Sequence, residues 1–174
     1  VRFDPSSITL WTKWAKCGDG LPSTVDEEKT DSALWAIWTC VLVADAVADW
    51  KVPMQLAEKA VTENPKNYRA LSHHGAALYR AGQFQEALQR LTEAEAAYLL
   101  DDKKLSPSCN WLFLAMTQHR LGKVIEAKGW LAKAAQELDR PAPEKSPAPP
   151  IGWDQRLTLQ APRRAAGALM KQKS

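Results

Sequence analysis

The residues best suited to chemistry in this 174-residue chain are His73, His74 and His119, with Cys17, Cys40 and Cys109. An imidazole can act as a general base or bind a metal, and a thiolate can act as a nucleophile or a metal ligand. His73 and His74 are chain neighbours. Neighbours on a helix point about 100° apart, so the pair cannot chelate one metal. The cysteines are odd in number, far apart and without C-x-x-C spacing, which argues for a reducing compartment and against a zinc site or disulfide framework. Cys109 with a nearby histidine would make a nucleophile pair, but no signature of such enzymes surrounds it. Phosphate-binding patterns of the G-x-x-x-x-G-K-[ST] and G-x-G-x-x-G kinds are absent from the sequence. Nucleophile, base and oxyanion donors do not come together, and the expectation is a chain that is not an enzyme and holds no cofactor or metal.

The elements that must carry these residues show in an internal repeat. With Gly82 set over Gly122, residues 78–87 align with residues 118–127, Leu71 with Trp111, Gly75 with Ala115, Leu91 with Leu131 and Ala94 with Ala134, always 40 residues apart. Each copy reads as two antiparallel helices. Leu71, Gly75 and Leu78 form one stripe, Gly82 ends the first helix, and Phe84, Ala87, Leu88, Leu91 and Ala94 form the second stripe. Gly75 is expected against Ala87 and Ala94, where a small residue lets two helices approach closely. Trp111, Leu114, Ala115 and Gln118, then Val124, Ala127, Leu131 and Ala134, repeat the scheme. His74 takes the large inward position before Gly75 and reads as a core residue with a satisfied ring. His73 and His119 fall on the opposite face.

This arrangement resembles the tetratricopeptide repeat (TPR), whose pattern is W-x2-L-G-x2-Y…A-x3-F…P with a 34-residue period. Repeats fall at about 34–67, 68–101 and 108–141, with an insertion at 102–107 that lengthens the spacing to 40. In the earliest repeat the second helix covers 54–63, with Leu56, Ala57 and Ala60 inward, and Pro53 is tolerated in its first turn. The first helix, 34–47, is apolar nearly all round. The segments 34–42, 45–49, 56–61, 74–82, 111–116 and 163–169 together resemble the C-terminal TPR region of large planctomycete-type bacterial proteins. In those, the repeats follow a serine/threonine kinase domain, WD40 repeats, or both. No kinase motif is present here, so no kinase activity is carried over.

The resemblance implies an all-α, right-handed α-solenoid of about three helical hairpins plus a C-terminal capping helix. Residues 1–33 are poorly defined, with a candidate helix at 8–16 and a polar loop at 18–29. A Pro-rich linker covers 142–152. The capping helix and a basic tail take 153–174, with Trp153, Leu157, Ala165 and Leu169 inward and Pro162 expected to break or kink the helix.

In such arrays the first helices line a concave groove. The candidate partner-binding residues there are Arg69, His73, Tyr79, Arg80, Phe113, Met116, His119 and Arg120, with Trp35, Trp38, Leu42 and Asp45 beside them. Aromatic, Met and Arg side chains suit recognition, and the arginines would steer an acidic protein or peptide partner. The Lys/Asn pattern that clamps a C-terminal carboxylate in chaperone-binding relatives is missing. The alternative is a purely structural end-cap of a longer solenoid.

Charge and hydropathy limit the remaining options. Residues 1–139 carry 16 Lys/Arg against 18 Asp/Glu, and residues 140–174 carry 7 against 2. The basic residues of the tail are dispersed, so a solvated helix face is expected rather than nucleic-acid binding. The longest charge-free apolar run, 33–44, falls short of the roughly 20 residues that span a bilayer. No secretory leader is visible, and a start at Val1 suggests a piece of a larger polypeptide containing neighbouring repeats. The expected location is the cytoplasm.

Overall fold

The computed structural model describes residues 34, 36–38, 40–42, 47, 49–100, 106–140 and 159–171. Outside them fall the candidate helix at 8–16, the loop at 18–29, the 142–152 linker, Trp35, Asp45 and the expected first part of the cap at 153–158. Most of the described residues are helical, and none of them lies in a strand. Residues 34, 36–38 and 40–42 are helical, followed by α1 (Lys51–Glu63), α2 (Tyr68–Arg80), α3 (Phe84–Leu100), α4 (Ser108–Arg120), α5 (Val124–Leu138) and α6 (Gln160–Leu169).

The most extensive packing joins α2 to α3 and α4 to α5 across three-residue turns, so each pair is an antiparallel hairpin. The two turns are built alike. Gly82 and Gly122 have φ of 82° and 77°, in the left-handed region where a side chain is strained. Gly82 N–H donates to the Tyr79 carbonyl and Gln83 N–H to that of Leu78; Gly122 N–H donates to His119 and Lys123 N–H to Gln118. These are paired Schellman closures, and both satisfy helix-terminal carbonyls that would otherwise lack partners. The 40-residue alignment therefore holds bond for bond at the turns.

Gly75 lets α2 and α3 close together, and the nearest atoms it faces are those of Leu91, between the expected Ala87 and Ala94 on the same buried stripe. A Cβ at this position would sit 2.6 Å from Leu91 Cγ, 2.8 Å from its Cδ2 and 3.1 Å from its backbone nitrogen. The close approach is thus against one large, fully buried side chain. The start of α2 is fixed by Asn67, whose side chain accepts from the Ala70 N–H at 3.1 Å.

Between hairpins, α3 packs on α4, α2 on α4, and α1 on α2. Asn110 on α4 is fully buried and its amide donates to the Leu91 carbonyl of α3 at 3.0 Å. Trp111 occupies the large position of its repeat, with its indole N–H bonded to Glu95 Oε2 at 2.7 Å. Lys133 of α5 closes this cluster, with Nζ 2.9 Å from Glu95 Oε1, 4.1 Å from the Trp111 ring centre and 4.7 Å from that of Trp130.

The C-terminal helix corrects one expectation, its inward stripe. The helix begins at Gln160, and the expected stretch ahead of it, 153–158, lies outside the described residues. Pro162 sits in the first turn of α6, where an N–H has no intrahelical partner to lose, and is buried. The inward stripe is Leu159, Pro162, Ala166 and Leu169, while Ala165 is exposed. This stripe packs on α4 and α5, and Arg163 forks onto both carboxylate oxygens of Asp139 at 2.8 Å.

Candidate functional site

The candidate residues lie on α2 and α4, the first helices of the two hairpins. Because α4 touches α2, α3, α5 and α6, it is buried continuously from Ser108 to Thr117. On α2 every residue from Tyr68 to Tyr79 is buried except Arg69, which is half-buried.

The helical residues between 34 and 42 lie along α2 in parallel. His73 hydrogen-bonds the Leu34 backbone, and Arg80 Nε donates to the Val41 carbonyl at 2.8 Å. Both steps are seven residues, 34 to 41 and 73 to 80, so two turns of one helix match two turns of the other. A second Arg80 nitrogen lies 3.5 Å from the Leu42 carbonyl. Between the two ends, the Trp38 ring stacks on His73, with centres 5.1 Å apart and planes 22° from parallel.

His73, expected to face an open groove, is therefore inside the protein. Burial first, and the neighbouring Arg69 charge second, push its pKa down from 6.5 to about 3, against the opposing hydrogen bond to Leu34. His74 is interior, as its position predicts, and burial followed by Arg90 lowers its pKa, opposed by Glu58 and Glu93. The expectation of a satisfied ring fails in one respect. Neither His73 Nδ1 nor His74 Nδ1 meets a protein hydrogen-bond partner among the described residues.

Four aromatic and cationic candidates come together further along. Tyr79 packs edge-on against Phe113 at 5.7 Å and tilted against Phe84 at 5.6 Å. Arg80 lies 5.7 Å from the Phe113 ring centre and 6.0 Å from that of Tyr79. Arg120 lies 6.0 Å over Phe84, so an aromatic string, Phe113–Tyr79–Phe84, carries an arginine at each end. Phe113 and Met116 are fully buried and Tyr79 nearly so, whereas His119 is half-buried and Arg120 exposed. Arg69 stands apart, at the start of α2. The surface left open on these helices is cationic and sits at their ends.

The two cysteines among the described residues are poorly placed for nucleophilic chemistry. Burial raises the thiol pKa of Cys40 and, more strongly, that of Cys109, where Arg80 only partly opposes it. A protonated buried thiol is unreactive. Cys40 and Cys109 are free thiols, and no group of three His, Cys, Asp or Glu among the described residues is placed to hold a metal ion.

Sequence reasoning missed the bonds from Arg80 to the Val41 and Leu42 carbonyls, because nothing local marks a side chain that reaches 38 and 39 positions away. It also missed the Glu95–Trp111–Lys133 cluster, in which only Trp111 had a signal, as the repeat's large residue. No family model matches the chain, and neither a curated protein nor a solved structure matches it.

Proposed function

We propose that this chain is a non-catalytic protein–protein interaction module built of tetratricopeptide-like repeats, stacked as a right-handed α-solenoid. It would form the C-terminal part of a larger bacterial signalling protein. The observation that supports this reading best is the duplicated hairpin. Two 13-residue first helices end in the same left-handed glycine closure, 40 residues apart, and each folds back onto a longer second helix. The described helical residues between 34 and 42, bonded to α2 at His73 and Arg80, are compatible with a third first helix in the same sense. Repeat units of this kind stack to bury a continuous core and leave the first-helix side for partners.

Two buried free cysteines suit a reducing compartment, hence the cytoplasm. No described helix is long and apolar enough to cross a membrane. The partner would be an acidic protein or peptide segment drawn to Arg69 and Arg120. Arg80 is not proposed for steering, because its guanidinium is engaged with Val41, Leu42, Phe113 and Tyr79.

A second reading, a structural end-cap with no ligand of its own, is favoured by one observation: Tyr79, Phe113 and Met116 are buried inside the chain. The two separate on charge reversal. Arg69→Glu with Arg120→Glu, its fold checked by circular dichroism, abolishes capture of the partner if the module binds. An end-cap shows no defined partner for the native chain, and the double variant behaves identically.

A further inference from the structure

Glu95, Trp111, Trp130 and Lys133 come from α3, α4 and α5 and meet around a single positive charge. Lys133 Nζ stands over both indole rings and donates to Glu95 Oε1, while the other oxygen of that carboxylate accepts the Trp111 N–H. The carboxylate is therefore held in place by the protein itself. Closing a hairpin does not call for this grouping. Forty residues earlier, the positions of Trp111, Trp130 and Lys133 are filled by Leu71, Arg90 and Glu93. None of these is aromatic, and Arg90 and Glu93 form an ion pair at 2.7 Å.

The pocket suits a cation without hydrogen-bond donors better than it suits Lys133. A primary ammonium carries three N–H donors. The described residues give it one acceptor oxygen, and the rest of its demand goes to water, as its 46% exposed side chain allows. Two indole faces and one carboxylate match a trimethylammonium group, which has only methyl groups to lay on the rings and is less strongly hydrated than a lysine ammonium. We propose that Glu95, Trp111 and Trp130 form a binding site for a trimethylammonium group, with Lys133 as its built-in competitor. Lys133 caps the rings in this structure and swings out to solvent on its flexible stem when the ligand enters. The apparent affinity of the native chain is therefore lowered by the fraction of molecules in which Lys133 stands in the way. None of the groove residues takes part, so the site does not depend on the interaction reading above.

The test follows the indole N–H signals of Trp111 and Trp130 by proton–nitrogen NMR of the full-length chain, titrated with choline chloride at constant ionic strength. Trp111→Phe and Trp130→Phe assign the signals by the peak that each removes. Both signals are expected to shift in the parent, and Lys133→Ala is expected to bind choline on the order of tenfold more tightly. Adding Glu95→Gln to Lys133→Ala keeps an acceptor for the Trp111 N–H but removes the charge, and is expected to weaken binding by on the order of tenfold. Dimethylbutanol, the neutral isostere with carbon in place of nitrogen, is expected to shift neither signal. Lys133→Gln carries the same test if circular dichroism shows Lys133→Ala to disturb the fold. A peptide bearing trimethyl-lysine is titrated beside choline: tighter binding of the peptide assigns the group to a partner's side chain, and tighter binding of choline to a free solute. No shift of the two indoles in either Lys133 variant, an equal response to dimethylbutanol, or equal choline affinity with and without Lys133 would overturn the proposal.

Discussion

Replacing Gly75 with alanine tests the packing of the best-formed hairpin, because two opposing effects can be weighed. Inside a helix, alanine is favoured over glycine by about 0.8–1 kcal/mol. Against this, the new Cβ would lie 2.6 Å and 2.8 Å from the Leu91 side chain and 3.1 Å from its backbone nitrogen. Leu91 is fully buried, so its side chain has no free space to enter, and the nitrogen belongs to α3 itself. Overpacking of this kind costs about 1–3 kcal/mol, which leaves Gly75→Ala destabilised by about 1 kcal/mol. Gly129 provides the control. It lies inside α5 with nothing within 4 Å of an added Cβ, so Gly129→Ala gains the propensity term alone. For a chain of this size each kcal/mol moves the melting temperature by about 2–4 °C. Thermal and urea unfolding followed by circular dichroism should therefore place the two variants on opposite sides of the parent, separated by about 2 kcal/mol. If Gly75→Ala proves as stable as Gly129→Ala, α2 and α3 are not in the close contact described.

Further outcomes follow from the same geometry. Gly82→Ala and Gly122→Ala should each cost about 1 kcal/mol in urea unfolding, because both sites hold positive φ although the space around them is open. Lowering the pH from 7 to 5 should remove about 2 kcal/mol through His73. Its folded pKa of about 3 lies below the unfolded value of 6.5, so between those values the unfolded chain binds the extra proton and stability falls as pH falls. His73→Phe should flatten that slope, and an unfolding midpoint in urea that is equal at pH 7 and pH 5 for the parent would count against a buried neutral imidazole. Glu95→Ala should cost about 1–3 kcal/mol by leaving the Trp111 N–H without its acceptor, while Glu95→Gln, which can still accept that bond, should cost less in the same unfolding assay.

Much of the fold was legible because the signals were local. The turn at Gly82 and its counterpart at Gly122 depend on glycine's freedom at positive φ, which sequence shows directly, and the helix limits at 80, 84, 120 and 124 follow from it. The inward stripes at Ala87, Leu91 and Ala94, and at Ala127 and Ala134, are simple helical periodicity. Pro162 stands in the first turn of α6, the one place in a helix where proline's missing N–H costs little.

The site was less legible. A repeat pattern places Arg80, Tyr79 and Phe113 on the first-helix side, but exposure there depends on what else in the chain packs over it. Trp38 covers His73, and the carbonyls of Val41 and Leu42 take up Arg80. Long side chains meeting distant backbone atoms leave no periodic trace. Arg120, at the exposed end of α4, escapes such engagement with backbone and is the candidate residue most open to a partner.

The central claim, that the first-helix side receives a protein partner, is tested most directly by site-specific photo-cross-linking. A benzophenone side chain is placed at Arg69 or Arg120 on that side, and at Leu99 or Ile125, exposed positions on the second helices. The account predicts one defined adduct from positions 69 and 120, lost on competition with unmodified chain, and none from 99 and 125. Adducts from 99 and 125 alone, or from none of the four positions in the host cell, would contradict it.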